Sequence, residues 1–198
     1  MLKRFLVVLN AFALVSLFAG CVHTPQPAGT PLTAPGDLMY EELNTTERFR
    51  KYNSVGIRLS TEGVAFLSTD AGERLEMEGF SKSVPDYLAQ GFIEEMEDNF
   101  YKKYGVVRTD EDAKSYDLII DGKFVELDRG NAAGRFWGVG GLTHVSVSGT
   151  MTETATGKVV VNFRDFKTGG SGGDSLWLMR SNAVEVGRNI SDFLEEVY

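Results

Sequence analysis

Cys21 is the only cysteine among 198 residues. A single sulfur nucleophile cannot form an internal disulfide, which leaves acylation, a bond to another chain, or a buried thiol. The two imidazoles are His23, in a proline-rich stretch, and His144, set among serines and threonines where a surface polar role is expected. Thiols and imidazoles are too few for a zinc site. Glu94, Glu95, Glu97 and Asp98 form the densest run of carboxylates, and without an imidazole or opposing acid they predict a solvated helix face. Paired carboxylates acting on a glycosidic bond stay open, because that chemistry depends on a spatial separation. The most unusual local sequence is the glycine-rich run from Gly130 to Leu142. A phosphate site would need such glycines to lead from a strand into a helix, whereas here they lead into a strand and no lysine follows in a Walker-type position. Two readings remain, a structural connection or a partner-docking loop in which Arg135, Phe136, Trp137, Gly138, Gly140 and Gly141 make the contact. No cofactor and no metal are expected.

The elements that must position these residues follow from periodicity. Val55, Ile57 and Leu59 alternate with Gly56, Arg58 and Ser60, predicting a first strand over 53–60. Residues 61–82 contain Gly63, Gly72 and Gly79 and read as irregular. From Ser83 the period lengthens: Leu88, Phe92, Met96 and Phe100 recur every four residues, joined by Ile93 and Tyr101. Ser83 is expected to cap this helix, Pro85 to fit its first turn, Lys102 and Lys103 to complement its dipole, and Gly105 to end it, with Gly91 as a flaw costing about 1 kcal/mol. Val106–Thr109 reads as a short strand, residues 110–115 as an acidic turn, and residues 116–128 as a strand whose centre is buried on both faces. Val145, Val147, Gly149 and Met151 alternate with Ser and Thr, and the turn at 154–157 returns the chain through 158–166 as a hairpin. Asp174 caps a closing helix with Leu176, Met179, Ala183, Val186, Ile190, Leu194 and Val197 on one stripe. The fold class is therefore α/β of the α+β type, with a mixed sheet of about five strands and two main helices in the order β-α-β-β-β-β-α.

At the front, Lys3 and Arg4 precede an apolar run from Phe5 to Phe18 and the small residues Ala19 and Gly20, the order of a secretory signal. Fourteen helical residues span roughly 21 Å, short of a bilayer core of about 30 Å. Residues 21–36 hold four of the chain's five prolines and no formal charge, which makes them an extended tether. The remaining 37–198 suit one globular domain. Removal of residues 1–20 takes away two cations, leaving 18 Lys and Arg against 28 Asp and Glu, a balance of minus 10. Such a charge disfavours nucleic acid and anionic headgroups alike.

The sequence Leu17-Phe18-Ala19-Gly20-Cys21 resembles the lipobox of bacterial lipoproteins, with Phe18 where leucine is usual. The resemblance implies a thioether-linked diacylglycerol and further acyl chains on Cys21, hence a membrane attachment through lipid. Val22 in place of aspartate at the next position resembles proteins sent to the outer membrane, facing the periplasm. The stretch from Arg135 to Leu142, an alternating strand, and the Thr154-x-Thr-Gly-Lys turn together resemble an uncharacterised family of bacterial envelope lipoproteins. In element order the chain is more loosely similar to the α/β domains of the curli secretion lipoprotein, the penicillin-binding-protein activator lipoproteins and the N-terminal domain of TolB. These likenesses imply a non-catalytic adaptor or assembly factor with an envelope protein partner. A glycan-processing enzyme using carboxylates and a self-associating scaffold are the alternatives, and the oligomeric state is not legible.

Overall fold

A computed structural model of the chain describes residues 38–68, 70–97, 99–130, 141–169 and 174–198. Cys21 and the stretches expected to be a signal and a tether lie outside the described residues, as do Arg135, Phe136, Trp137, Gly138 and Gly140. Among the described residues the strands are β1 (Tyr40–Leu43), β2 (Ser54–Ser60), β3 (Ala65–Phe66), β4 (Lys103–Val106), β5 (Leu118–Asp128), β6 (Thr143–Glu153) and β7 (Val159–Gly169). The helices are α1 (Ala71–Ser81), α2 (Val84–Met96), α3 (Asp110–Ala113) and α4 (Ser175–Val197), with a 3-10 turn at Phe49–Lys51. All seven strands form one mixed sheet in the order β1-β7-β6-β5-β2-β4, with β3 pairing β5 off that path. The β1–β7, β7–β6 and β6–β5 pairs are antiparallel, while β2 runs parallel to both β4 and β5. The α+β class is thus as expected, with two more strands than the five read from periodicity.

Two long helices cover one face of this sheet. Val55, Ile57, Leu118, Ile120, Phe124, Val145, Val147, Met151, Val161 and Phe163 point into a core completed by Leu88, Phe92 and Met96 from α2 and by Met179, Val186, Ile190 and Leu194 from α4. The stripe predicted for α4 is the stripe that is buried, and the Asp174 carboxylate caps it by accepting from the Leu176 amide at 3.1 Å. The helices α2 and α4 meet backbone to backbone. A Cβ at Gly91 would overlap the Val184 carbonyl and lie 2.9 Å from Val184 Cα, and one at Gly187 would lie 2.7 Å from the Phe92 nitrogen. Gly91 is therefore a contact that only glycine permits.

Several sequence expectations are corrected. Residues 71–81 are helical, because the Asp70 carboxylate accepts from the Glu73 amide and Ser68 Oγ donates to Glu73 at 2.5 Å, a capped start that outweighs the two glycines. Helix α2 stops at Met96, and Phe100 is 54% exposed, stacked on the Tyr198 ring outside the core. Ser83 does not cap α2: Ser83 Oγ donates to the Phe80 carbonyl, since α1 runs into α2 with Ser83 itself near helical geometry. Lys103 and Gly105 belong to β4, whose backbone lies against β2 with Gly105 opposite Gly56. The short strand expected at Val106–Thr109 starts three residues earlier, and the acidic turn that follows is α3, held by a capping box between Thr109 and Asp112. Strand β1 precedes the first strand expected from the sequence, at 53–60, in a stretch for which no element is expected. The carboxylates Glu94 and Glu95 face Arg188 of α4 rather than solvent alone.

At the lower end of the sheet β2, β4 and β5 begin and β6 turns into β7; at the upper end β5 finishes and β6 and α4 begin.

Candidate functional site

The upper end holds the described neighbours of the glycine-rich segment. Asp128 accepts from the Gly130 amide at 2.8 Å, ending β5 in a tight turn, and Gly130 has φ +64°. Gly141 has φ +80°, and a Cβ on Gly130 would overlap the Gly141 carbonyl and come within 2.6 Å of Leu142. The two flanks of residues 131–140 are thus pinched together at a neck of two glycines in left-handed conformation, which no other residue type adopts without strain. Below the neck, Thr143 Oγ1 donates to the Gly169 carbonyl at 2.8 Å, and Asn182 of α4 donates to Thr143 Oγ1 at 3.0 Å. These bonds tie β6, β7 and α4 together at the base of the segment. Of the sequence-predicted contact residues, Gly141 alone is described, and it forms half of the neck.

A groove of about 560 Å³ adjoins this region on the face of the sheet away from α2 and α4, lined by Met39, Tyr40, Glu126, His144, Arg164 and Phe166. Strand register assembles it: His144 lies opposite Thr168 on β7 and Asp128 on β5, and Tyr40 on β1 lies opposite Arg164. His144 is not the solvated surface residue its neighbours suggest. Its ring packs against Phe166 with centroids 5.1 Å apart, and Nε2, 3.5 Å from the Glu126 carboxylate, is buried without a hydrogen bond among the described residues.

Asp165 on β7 points the other way and is 3% exposed. It accepts from Asn189 Nδ2 of α4 at 2.8 Å and from the Met39 amide at 3.4 Å, latching the entry to β1 onto the core. Burial pushes its carboxyl above the usual aspartate range, against the opposing effect of the Asn189 bond and of the Phe166 and Met39 amides.

The lower end carries a second cleft of about 350 Å³ lined by Lys51, Tyr52, Lys114, Tyr116, Asp117, Glu153, Thr154 and Ala155. Asp117 Oδ2 accepts from the Asn53 amide, the Ser54 amide and Ser54 Oγ at 2.8, 3.1 and 2.9 Å, clamping the start of β2 to the start of β5. Lys51 bridges Glu47 and Glu153 at 2.9 and 3.0 Å, and these hydrogen bonds raise its pKa. The hydroxyl of Thr156 and then Lys51 hold Glu153 below the usual glutamate range. The Tyr52 hydroxyl and Thr154 Oγ1 are buried without a hydrogen-bond partner among the described residues. Nothing in the sequence pattern marks this cleft, since its members come from three separate stretches of the chain, 51–52, 114–117 and 153–155. Among the described residues no three His, Asp or Glu side chains converge as a metal site would require, and no helix is long and apolar enough to cross a membrane.

The architecture defines a class, an α+β domain with one mixed sheet backed by two helices. Within that class the chain belongs to the family described as a domain of unknown function, DUF4410, whose family model matches residues 60–173. No curated protein matches the chain. Among solved structures it is similar to the PelC dodecamer from Paraburkholderia phytofirmans, at 13% identity over 76% of this chain and 97% of that one with a TM-score of 0.45. It is also similar to protein XCC0632 from Xanthomonas campestris, at 6% identity over 74% of this chain and 85% of that one with a TM-score of 0.43.

Proposed function

We propose that this chain is a lipid-anchored accessory protein of the bacterial cell envelope, a non-catalytic binding, adaptor or assembly factor held through Cys21 on the outer membrane and facing the periplasm. The observation that carries the proposal is the segment ending Ala19-Gly20-Cys21, a sole thiol placed after a cationic and apolar leader and before an uncharged proline-rich spacer. A domain with minus 10 net charge has no electrostatic means of holding an anionic membrane, so lipid on Cys21 supplies the attachment. The glycine neck supports a contact role for the residues it brackets. Glycines at 130 and 141 bring the two flanks of residues 131–140 to one point of the sheet, and the contact with an envelope partner is assigned to Arg135, Phe136, Trp137, Gly138 and Gly140 between them.

The test has two parts. Mass spectrometry of the mature protein is expected to find an acylated Cys21 as its first residue, and Cys21→Ser to release the protein from washed membranes; an unmodified thiol on membrane-bound protein refutes the anchor. Crosslinking in cells is expected to capture a defined partner that disappears when Phe136 and Trp137 are both changed to Ala. Turnover of cell-wall fragments by the purified domain would refute the non-catalytic reading.

A further inference from the structure

The groove on the open face of the sheet is a site in its own right, and we infer that it binds a short zwitterionic, peptide-like ligand, its carboxylate on Arg164 and its ammonium on Glu126. Such a site lies outside the proposed adaptor role and needs neither Cys21 nor residues 131–140, since all its members are described.

Strand register builds the site in two rows. Phe166 on β7, Ser146 on β6 and Glu126 on β5 are directly opposed, and two residues along β7 Arg164 is opposed to Tyr40 on β1. Opposed residues share a face of the sheet, so these side chains emerge together on the side away from α2 and α4. His144, two residues before Ser146 on β6, emerges there too. The volume they enclose, about 560 Å³, falls within the span of about 300–1,000 Å³ usual for small-ligand sites.

Among the described residues the site is chemically incomplete. Ser146 is fully buried and its Oγ has no hydrogen-bond partner, and the buried His144 Nε2 has none either. Buried polar groups are ordinarily paired, and here two adjacent ones on one strand are not. No carboxylate pairs with Arg164, and no lysine or arginine pairs with Glu126, whose carboxylate lies 3.5 Å from the His144 imidazole.

One cation and one anion held apart select the class of ligand. Arg164 and Glu126 are two strands and two residues apart, a backbone separation of about 12 Å at strand spacings of about 4.8 Å and a rise of about 3.4 Å per residue. An extended chain covers about 3.3–3.6 Å per residue, so a dipeptide or tripeptide, met by the reach of the two side chains, joins the charges. Phe166 and the exposed Tyr40 supply an aromatic wall for an apolar side chain of that ligand. A simple anion would meet Glu126 and a simple cation would meet Arg164, each a like charge, whereas a zwitterion sets each of its ends on the opposite sign. Its ammonium has three donors, which suit the Glu126 carboxylate, Ser146 Oγ in the floor and, once the imidazole turns toward it, His144 Nε2.

The probe is the free tripeptide alanyl-phenylalanyl-alanine, titrated into the purified full-length chain by calorimetry and followed by the ring signals of the two histidines, His144 in the site and His23 outside it. The His144 signal is expected to shift saturably while that of His23 stays in place. Amidating the peptide's carboxylate or acetylating its amine should each weaken binding roughly three- to ten-fold. Arg164→Gln should impose a similar loss on the free peptide and make the chain indifferent to amidation, and Glu126→Gln should do the same for acetylation, with circular dichroism unchanged in both. Should either variant misfold, the two blocked peptides on the wild-type chain read the same contacts. An unmoved His144 signal, blocked peptides that bind as well as the free one, or folded variants that keep full sensitivity to both blocks would each overturn the inference. So would a loss on amidation alone, which assigns the groove to the carboxyl terminus of a protein instead. Acylation of Cys21 plays no part in the titration, so a negative result leaves the anchor standing, and an unmodified Cys21 leaves the groove standing.

Discussion

Replacing Gly91 by Ala should destabilise the domain even though alanine is the better helix former. On propensity alone the change within α2 gains about 1 kcal/mol. Against this, the new methyl group would overlap the Val184 carbonyl oxygen and lie 2.7 Å from its carbon, where ordinary contact needs at least 3.4 Å. The obstacle is backbone on both sides, so no rotamer change relieves it, and α2 and α4 must separate by the better part of an ångström. A gap of that size forfeits roughly a quarter to a half of the dispersion well for side chains spanning the seam. Leu88, Phe92, Val186 and Ile190 are all completely buried there. At about 1.5–3 kcal/mol of burial each, about 6–12 kcal/mol in all, losing a quarter to a third across the four costs about 1.5–4 kcal/mol. The net expectation is a loss of about 0.5–3 kcal/mol, or a melting temperature lower by roughly 1–12 °C for a domain of this size. Gly79→Ala is the matched control: it makes the same chemical change in α1, where a Cβ meets nothing within 4 Å, and should raise stability by up to about 1 kcal/mol. Thermal and urea melts of both variants decide the matter. A Gly91→Ala chain as stable as the wild type, or both variants shifting in the same direction, would refute the close-packed crossing.

Asp117→Ala removes the single oxygen that accepts three bonds from Asn53 and Ser54, and is expected to cost about 1–2 kcal/mol in urea melts; Ser54→Ala removes two bonds, the one Oγ donates to that carboxylate and the one it accepts from the Asp117 amide, and should cost somewhat less because both backbone amides keep their bonds to Asp117. Asp165 predicts a pH dependence of definite sign. Burial raises its native pKa above the ordinary 3.8, so the native state holds the proton more tightly than the unfolded chain does. Its contribution to stability is fully present below that ordinary value and is lost as pH rises through the native one. Asp165→Asn should therefore flatten the decline of stability with rising pH in the mildly acidic range, measured as urea midpoints at a series of pH values; an unchanged slope would exclude Asp165 as its source.

The parts of the fold legible in the sequence are those whose pattern is complete within one element. The β6–β7 hairpin alternates without interruption and turns at Gly157 with φ +69°, and α4 keeps its stripe across 23 residues, so both are read correctly. Helix α1 hides because only Met77, Phe80 and Ser81 are buried and two glycines interrupt the run, while its capping depends on Asp70 and Ser68 outside the apolar pattern. The end of α2 is misread because Phe100 continues the four-residue spacing by accident: the chain has already turned at Asn99, whose side chain accepts from the Phe100 amide and donates to the Ser191 carbonyl.

The candidate site divides along the same line. Gly141 is conspicuous as a glycine, yet its pairing with Gly130 and the meeting of His144, Phe166 and Glu126 follow from strand register, which no single segment contains. Gly91 shows the reason most sharply. Counted within its own helix, a glycine is a cost, and it becomes a requirement only once the Val184 carbonyl of α4 is placed against it. Pattern reading prices residues one element at a time, whereas the neck, the latch at Asp165 and the helix crossing are properties of pairs. Their energetic signs can therefore differ from those of the residues taken singly, and the opposite shifts expected for Gly91→Ala and Gly79→Ala measure that difference directly.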